Sequence, residues 1–75
     1  MPLTYKIVKK ILVDEGFEFD RQKGSHEQRY KNSFLATIPN KKEFPIGTAK
    51  SLIKQIATAT NKNYKQIIKD YGIKL

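Results

Sequence analysis

Seventy-five residues, 39% of them apolar, 29% charged and none cysteine, make one small domain, residues 1–75, whose folding buries only roughly 60% of its extended surface. That size argues against a deep substrate tunnel, the missing thiols exclude a disulfide framework or thiolate metal site, and the longest apolar runs, Ile11-Leu12-Val13 and Phe34-Leu35-Ala36, fall far short of the ~20 residues of a membrane helix. Fifteen Lys and Arg against seven Asp and Glu leave a net charge of +8, a field that draws polyanions, nucleic acid first among them.

The opening MPLTYKIVKK carries lysines but lacks the ~7 to 15 residue apolar stretch of a secretory signal, so it reads as the true N-terminus of a cytoplasmic protein. From Thr4 the pattern is helical: Thr4 is the expected N-cap, Ile7, Val8, Ile11 and Leu12 form one apolar stripe, and Gly16 is the stop. The period then changes to two. Phe17-Glu18-Phe19-Asp20-Arg21 predicts a half-buried strand with both aromatics on one face. Lys23-Gly24-Ser25 supplies a turn, and His26 to Lys31 predicts a second strand with Glu27, Arg29 and Lys31 on one face and His26, Gln28 and Tyr30 on the other. Asn32-Ser33 is the next turn, followed by an apolar strand from Phe34 to Ile38 that Pro39 ends, since proline donates no ladder hydrogen bond.

A polar loop, Asn40 to Gly47, leads to Thr48, the expected cap of a helix with Ala49, Leu52, Ile53 and Ile56 at i, i+3, i+4 and i+7. Asn61 is the expected cap of a last helix carrying Tyr64, Ile67, Ile68 and Tyr71, closed by Gly72. The order is αβββα with an additional C-terminal helix. A three-stranded antiparallel meander needs one face covered, and the helical stripes are the apolar surfaces available to cover it, which gives a two-layer α+β sandwich.

The charge is not spread evenly. Residues 1–20 carry a net charge of −1, residues 21–54 of +6 and residues 55–75 of +3. The central block holds Arg21, Lys23, Arg29, Lys31, Lys41, Lys42, Lys50 and Lys54, and the plain reading of such a run is a solvated face. Two features favour a phosphate site instead. The helix that follows Gly47 presents free backbone N–H groups and the positive end of its dipole, and Lys50 and Lys54, four apart, share one flank of it.

His26 is the only histidine. An imidazole, with an ordinary pKa of ~6.5, is the side chain best suited to move a proton at neutral pH. Taken alone, a single histidine in a basic chain is more often an ordinary surface or strand residue. Strand parity places it at the rim of the core on the less charged face, where water is partly excluded; a bulge in the Gly24 turn would undo that parity. Gly24 permits a tight turn or the approach of a ligand, and Ser25 offers a hydroxyl to a phosphate oxygen, though a plain hairpin explains both. There is no P-loop or paired-glycine dinucleotide fingerprint. The seven acids are scattered, so a metal site or two-metal nuclease lacks ligands, and no cofactor is expected. RNA cleavage here would proceed without metal: the ribose 2′-hydroxyl attacks its own phosphate, His26 acts as general acid/base, and Arg21, Lys23 or Arg29 oppose the developing charge.

Several stretches together resemble the HicA-type toxins, small mRNA interferases of toxin-antitoxin pairs. They are Gly16-Phe17, Arg21-Gln22-Lys23-Gly24-Ser25-His26, Ile38-Pro39, Lys41-Lys42-Glu43, and Pro45-Ile46-Gly47-Thr48 running into Ser51-Leu52-Ile53-Lys54-Gln55, about residues 5 to 56. The resemblance implies a double-stranded-RNA-binding-domain-like fold, ribonuclease activity on mRNA dependent on His26, and neutralisation by a HicB-type antitoxin. The family often carries a histidine after the proline that ends the third strand, where this chain has Asn40. Two other readings stand beside the toxin: a non-catalytic RNA-binding module of the same fold, recognising A-form RNA by shape, and a protein-binding component whose basic face docks an acidic partner.

Overall fold

The computed structural model describes residues 3–75. The elements run α1 (Tyr5–Asp14), β1 (Glu18–Lys23), β2 (His26–Lys31), β3 (Phe34–Pro39), α2 (Ile46–Thr60) and α3 (Tyr64–Asp70). The strands form one antiparallel sheet in the order β1-β2-β3. This is the α+β, αβββα layout of a double-stranded-RNA-binding domain, with a C-terminal helix added. No helix of the described residues is long and apolar enough to cross a membrane.

Thr4 caps α1, its hydroxyl accepting from the Ile7 N–H at 3.4 Å. The stripes meet in one core: Val8, Ile11 and Leu12 of α1, Ala36 and Ile38 of β3, Ala49, Leu52, Ile53 and Ile56 of α2, and Ile67 of α3 are all buried. The loop from Asn40 to Gly47 is less polar in effect than its sequence suggests. Phe44 is buried with Leu3, and the two segments pair through the Phe44 N–H to the Leu3 carbonyl at 3.1 Å and the Tyr5 N–H to the Lys42 carbonyl at 3.0 Å.

Both expected caps after β3 lie elsewhere. α2 begins at Ile46 with Pro45 as N-cap and no side-chain cap, so Thr48 sits inside the first turn. Proline can serve there because its fixed φ suits helix entry. Asn61 ends α2 in a left-handed conformation, φ 56°, and it is Asn63 that caps α3, its side chain accepting from the Lys65 N–H at 2.8 Å. Asparagine tolerates positive φ, which suits it equally to close a helix.

The sheet corrects the sequence reading in two ways. First, β1 is irregular: Phe19 pairs with Arg29 and Arg21 with Gln28, leaving Asp20 as an extra residue. The bulge lies there, not at Gly24, and it flips the alternation, so Arg21 and Lys23 leave the face that Phe19 occupies. Phe17, just before the strand, is buried, whereas Phe19 is 54% exposed. Second, the charged face of β2 points inward. Glu27 and Arg29 are each only 8% exposed, while His26 and Tyr30 face solvent. The predicted rim position for His26 is therefore replaced by an open one.

The inward charges are fully matched. Arg29 Nε and the Tyr5 hydroxyl both donate to Glu27, and the Phe19 ring lies 5.7 Å from the guanidinium carbon, covering its outer side. Burial alone would push the Glu27 carboxyl up, but the hydrogen bonds from Tyr5 and Arg29 outweigh it and hold the group below its ordinary value; the Tyr5 phenol is pushed up by that same bond to Glu27. Lys31 closes the C-terminal end of α1, donating to the Glu15 carbonyl at 2.5 Å, where a cation also complements the helix dipole.

Candidate nucleic-acid interface

The hairpin between β1 and β2 sets the first half of the site. Lys23 pairs directly with His26, so the loop has only two residues, Gly24 and Ser25. Gly24 has φ +61° and Ser25 does not share the positive sign, the pattern of a type II′ turn, which calls for glycine at its first central position. Because residues opposite one another in an antiparallel pair share a face, Lys23 stands beside His26, and Arg21, opposite Gln28, stands one step further along. All three are exposed. Arg21 also pairs with its neighbour Asp20 at 3.1 Å, an exposed contact that leaves its other guanidinium donors free. The Ser25 hydroxyl is exposed, and its carbonyl accepts from the Asn40 N–H at 2.7 Å, which fastens the turn to the end of β3.

The second half comes from α2. His26 lies at a groove of about 380 Å³ between β3 and the first turns of this helix, walled by Thr37, Pro39, Gly47, Thr48, Ser51 and Gln55. The first helical amides have no carbonyl before them to bond, and Pro45 brings no side chain to cap them. Gly47 and Thr48 thus bring unpartnered donors and the positive dipole end to the groove that holds His26. Gly47 has an ordinary negative φ, and a Cβ there would meet nothing within 4 Å. Neither packing nor backbone conformation requires glycine there. Lys50 and Lys54 are exposed on an adjoining depression that shares Gly47, Ser51 and Gln55 with the first.

Of the residues singled out from sequence, His26, Gly47 and Thr48 meet at the groove, Lys50 and Lys54 line the adjoining depression, and Arg21, Lys23, Gly24 and Ser25 lie on the hairpin that carries His26 and reach solvent. Arg29 does not. Buried, bonded to Glu27 and covered by Phe19, it has no surface to offer a nucleic acid, and the reason is the inward turn of its strand face. Sequence reasoning gave no role to Thr37, Ser51 or Gln55. The last two had a legible signal, since Gly47, Ser51 and Gln55 are spaced four apart and so line one helix flank. Among the described residues no three His, Asp or Glu side chains gather as a metal site requires.

Layout and surface together define a small cationic α+β domain with a double-stranded-RNA-binding-domain-like fold and one solvent-facing histidine. Residues 5–57, more than two thirds of the chain, match the family described as the HicA toxin of bacterial toxin-antitoxin systems. The chain belongs to that family, and membership implies a cognate antitoxin. No curated protein matches the sequence.

Proposed function

We propose that this toxin is a metal-independent endoribonuclease, an mRNA interferase, in which His26 is the general acid/base. Support comes from one juxtaposition above all: an exposed imidazole beside Lys23 and Arg21 on one side and a groove with the uncapped start of α2 on the other. The scissile phosphate takes the N–H groups at Gly47 and Thr48, and the ribose 2′-hydroxyl loses its proton to His26 as its oxygen attacks phosphorus. The His26 imidazolium so formed gives that proton up to the 5′-oxygen as the P–O5′ bond breaks, leaving a cyclic phosphate on one fragment and a 5′-hydroxyl on the other. Lys23 and Arg21 oppose the charge that builds on the phosphorane oxygens, and Lys50, Lys54 and the Ser25 hydroxyl hold the flanking strand. The acids of the chain do not enter this scheme. Its compartment is the cytoplasm, where mRNA is available, and its antitoxin is of the HicB type.

A positioned acid/base contributes ~10²- to 10⁴-fold to rate. Purified His26→Ala protein should therefore cleave RNA at least about a hundredfold more slowly, with an unchanged circular dichroism spectrum and unchanged RNA affinity. Full activity of His26→Ala refutes the assignment. RNA binding by the unaltered chain with no products after prolonged incubation would favour the non-catalytic binding module.

A further inference from the structure

Beyond His26 the surface of α2 carries two further depressions, and each shares residues with the one before. Lys54 and Thr58 belong both to the depression that adjoins the His26 groove and to another, of about 610 Å³, at the corner between α2 and α3, where Asn61, Asn63 and Tyr64 complete the wall. The continuity follows from spacing: Gly47, Ser51 and Gln55 form one row at four-residue intervals, and Lys50, Lys54 and Thr58 the next. From Gly47 to Asn61 the helix rises about 21 Å at ~1.5 Å per residue. That is the length of at most roughly six nucleotides at a stacked spacing of ~3.4 Å.

The path is cationic throughout. Lys50 and Lys54 have no acidic partner among the described residues, and no Asp or Glu walls either depression. Lys62, at the far corner, is bonded to Glu15 at 2.9 Å and adds little free charge. Tyr64 is half-buried, and Lys54 Nζ sits 6.0 Å from its ring centroid, the outer limit of cation–π attraction. The ring is thus approached by the lysine but not closed off by it. α3 holds Tyr64 in place independently of any ligand: Ile67 is fully buried, and the Tyr71 hydroxyl donates to Glu15 at 3.0 Å.

We propose that α3 adds a distal subsite for single-stranded RNA, in which a base stacks on Tyr64 and Lys54 holds the neighbouring phosphate, the strand continuing along α2 to His26. This rests on the reading that the His26 groove takes RNA. An aromatic ring beside an unpaired lysine in an open depression is the arrangement that unstacked bases use, since every base has a π-face. Of the two, Lys54 lies within the segment matched to the family, residues 5–57, and Tyr64 lies beyond it.

The test compares Tyr64→Leu, which keeps apolar bulk without the aromatic face, with Tyr64→Phe, which keeps both. Stacking is worth ~1–3 kcal/mol per base, so Tyr64→Leu should raise KM for an RNA of about ten nucleotides roughly 5- to 150-fold at unchanged kcat. Tyr64→Phe should behave as the unaltered chain. For a dinucleotide, whose single internucleotide step is far shorter than the path along α2, the same variants should leave kcat/KM unchanged. Anisotropy in a His26→Ala background provides the second readout: affinity for the longer RNA falls on Tyr64→Leu and on Lys54→Gln. If the chain cleaves RNA but Tyr64→Leu leaves KM and affinity for the longer RNA untouched, the subsite is refuted while the proposed function stands. If nothing is cleaved yet affinity still depends on Tyr64, the subsite stands and the nuclease reading falls. An acidic peptide bound in place of RNA, and weakened by Tyr64→Leu, overturns the subsite in favour of a protein-docking face.

Discussion

Replacing Arg29 with methionine separates a structural cation from a ligand-binding one. Arg29 and Glu27 side chains are each about 10% exposed, so the substitution leaves a buried carboxylate whose remaining hydrogen-bond donor is the Tyr5 hydroxyl. Removing one partner of a buried ion pair costs about 3–5 kcal/mol. A domain of this length has a total stability of only roughly 4–11 kcal/mol. At ~4–8 °C per kcal/mol for a domain of this size, the midpoint of thermal unfolding should drop by at least roughly 12 °C. The triple change Tyr5→Phe, Glu27→Leu and Arg29→Met removes every member of the network together, and an apolar replacement of a buried pair is commonly neutral or stabilising by ~1–4 kcal/mol; it should recover most of the loss. Both variants are followed by circular dichroism against temperature and urea in a His26→Ala background, with RNA anisotropy on the folded protein. RNA affinity of the triple variant should equal that of the background. If Arg29→Met melts as the background does and instead loses RNA binding, the inward orientation of this strand face is wrong.

Three further outcomes follow from the same fold. Because the Glu27 carboxyl is held below its ordinary value of 4.5 by Tyr5 and Arg29, its contribution is complete above about pH 4.5 and is lost as pH falls through the depressed folded value; urea midpoints should decline on acidification in the native chain and do so less in the triple variant, and equal slopes would contradict this. Tyr71 gives the opposite sign: burial first, and then the hydrogen bond to Glu15, push its phenol up to about 12. Its stabilisation is therefore full below pH 10 and disappears as the folded group ionises, so Tyr71→Phe should flatten the alkaline loss of stability measured alongside tyrosinate absorbance. Lastly, replacing Lys50 and Lys54 together by alanine should reduce the slope of log affinity for single-stranded RNA against log salt by about 1.4, at ~0.7 per phosphate contact, with no change in melting temperature; an unaltered slope would remove both from the interface.

Much of the fold was legible because short-range periodicity carries it. The i, i+3, i+4 stripes from Ile7 to Leu12 and from Ala49 to Ile56 had no alternative use in so short a chain, and the glycine and asparagine turns left room for only one meander. The resemblance in the Gly-Ser-His element and the helix start at Pro45 also named residues, His26, Gly47 and Thr48, that the fold brings to one groove. Caps were less legible, since Thr48, Asn61 and Asn63 are all competent capping residues and the choice depends on where the neighbouring segments dock.

Alternation along β2 establishes from sequence that Glu27 and Arg29 share a face and that His26 lies on the other. Which face turns inward is a tertiary outcome. In isolation a row of charges belongs in water, but the Tyr5 hydroxyl, the Phe19 ring and the paired geometry of Glu27 and Arg29 satisfy the charges inside, and that frees the opposite face for His26. The extra residue at Asp20 then brings Arg21 and Lys23 round to join it. Local pattern fixes which side chains travel together; only the packing of one layer on another decides which of them meet solvent.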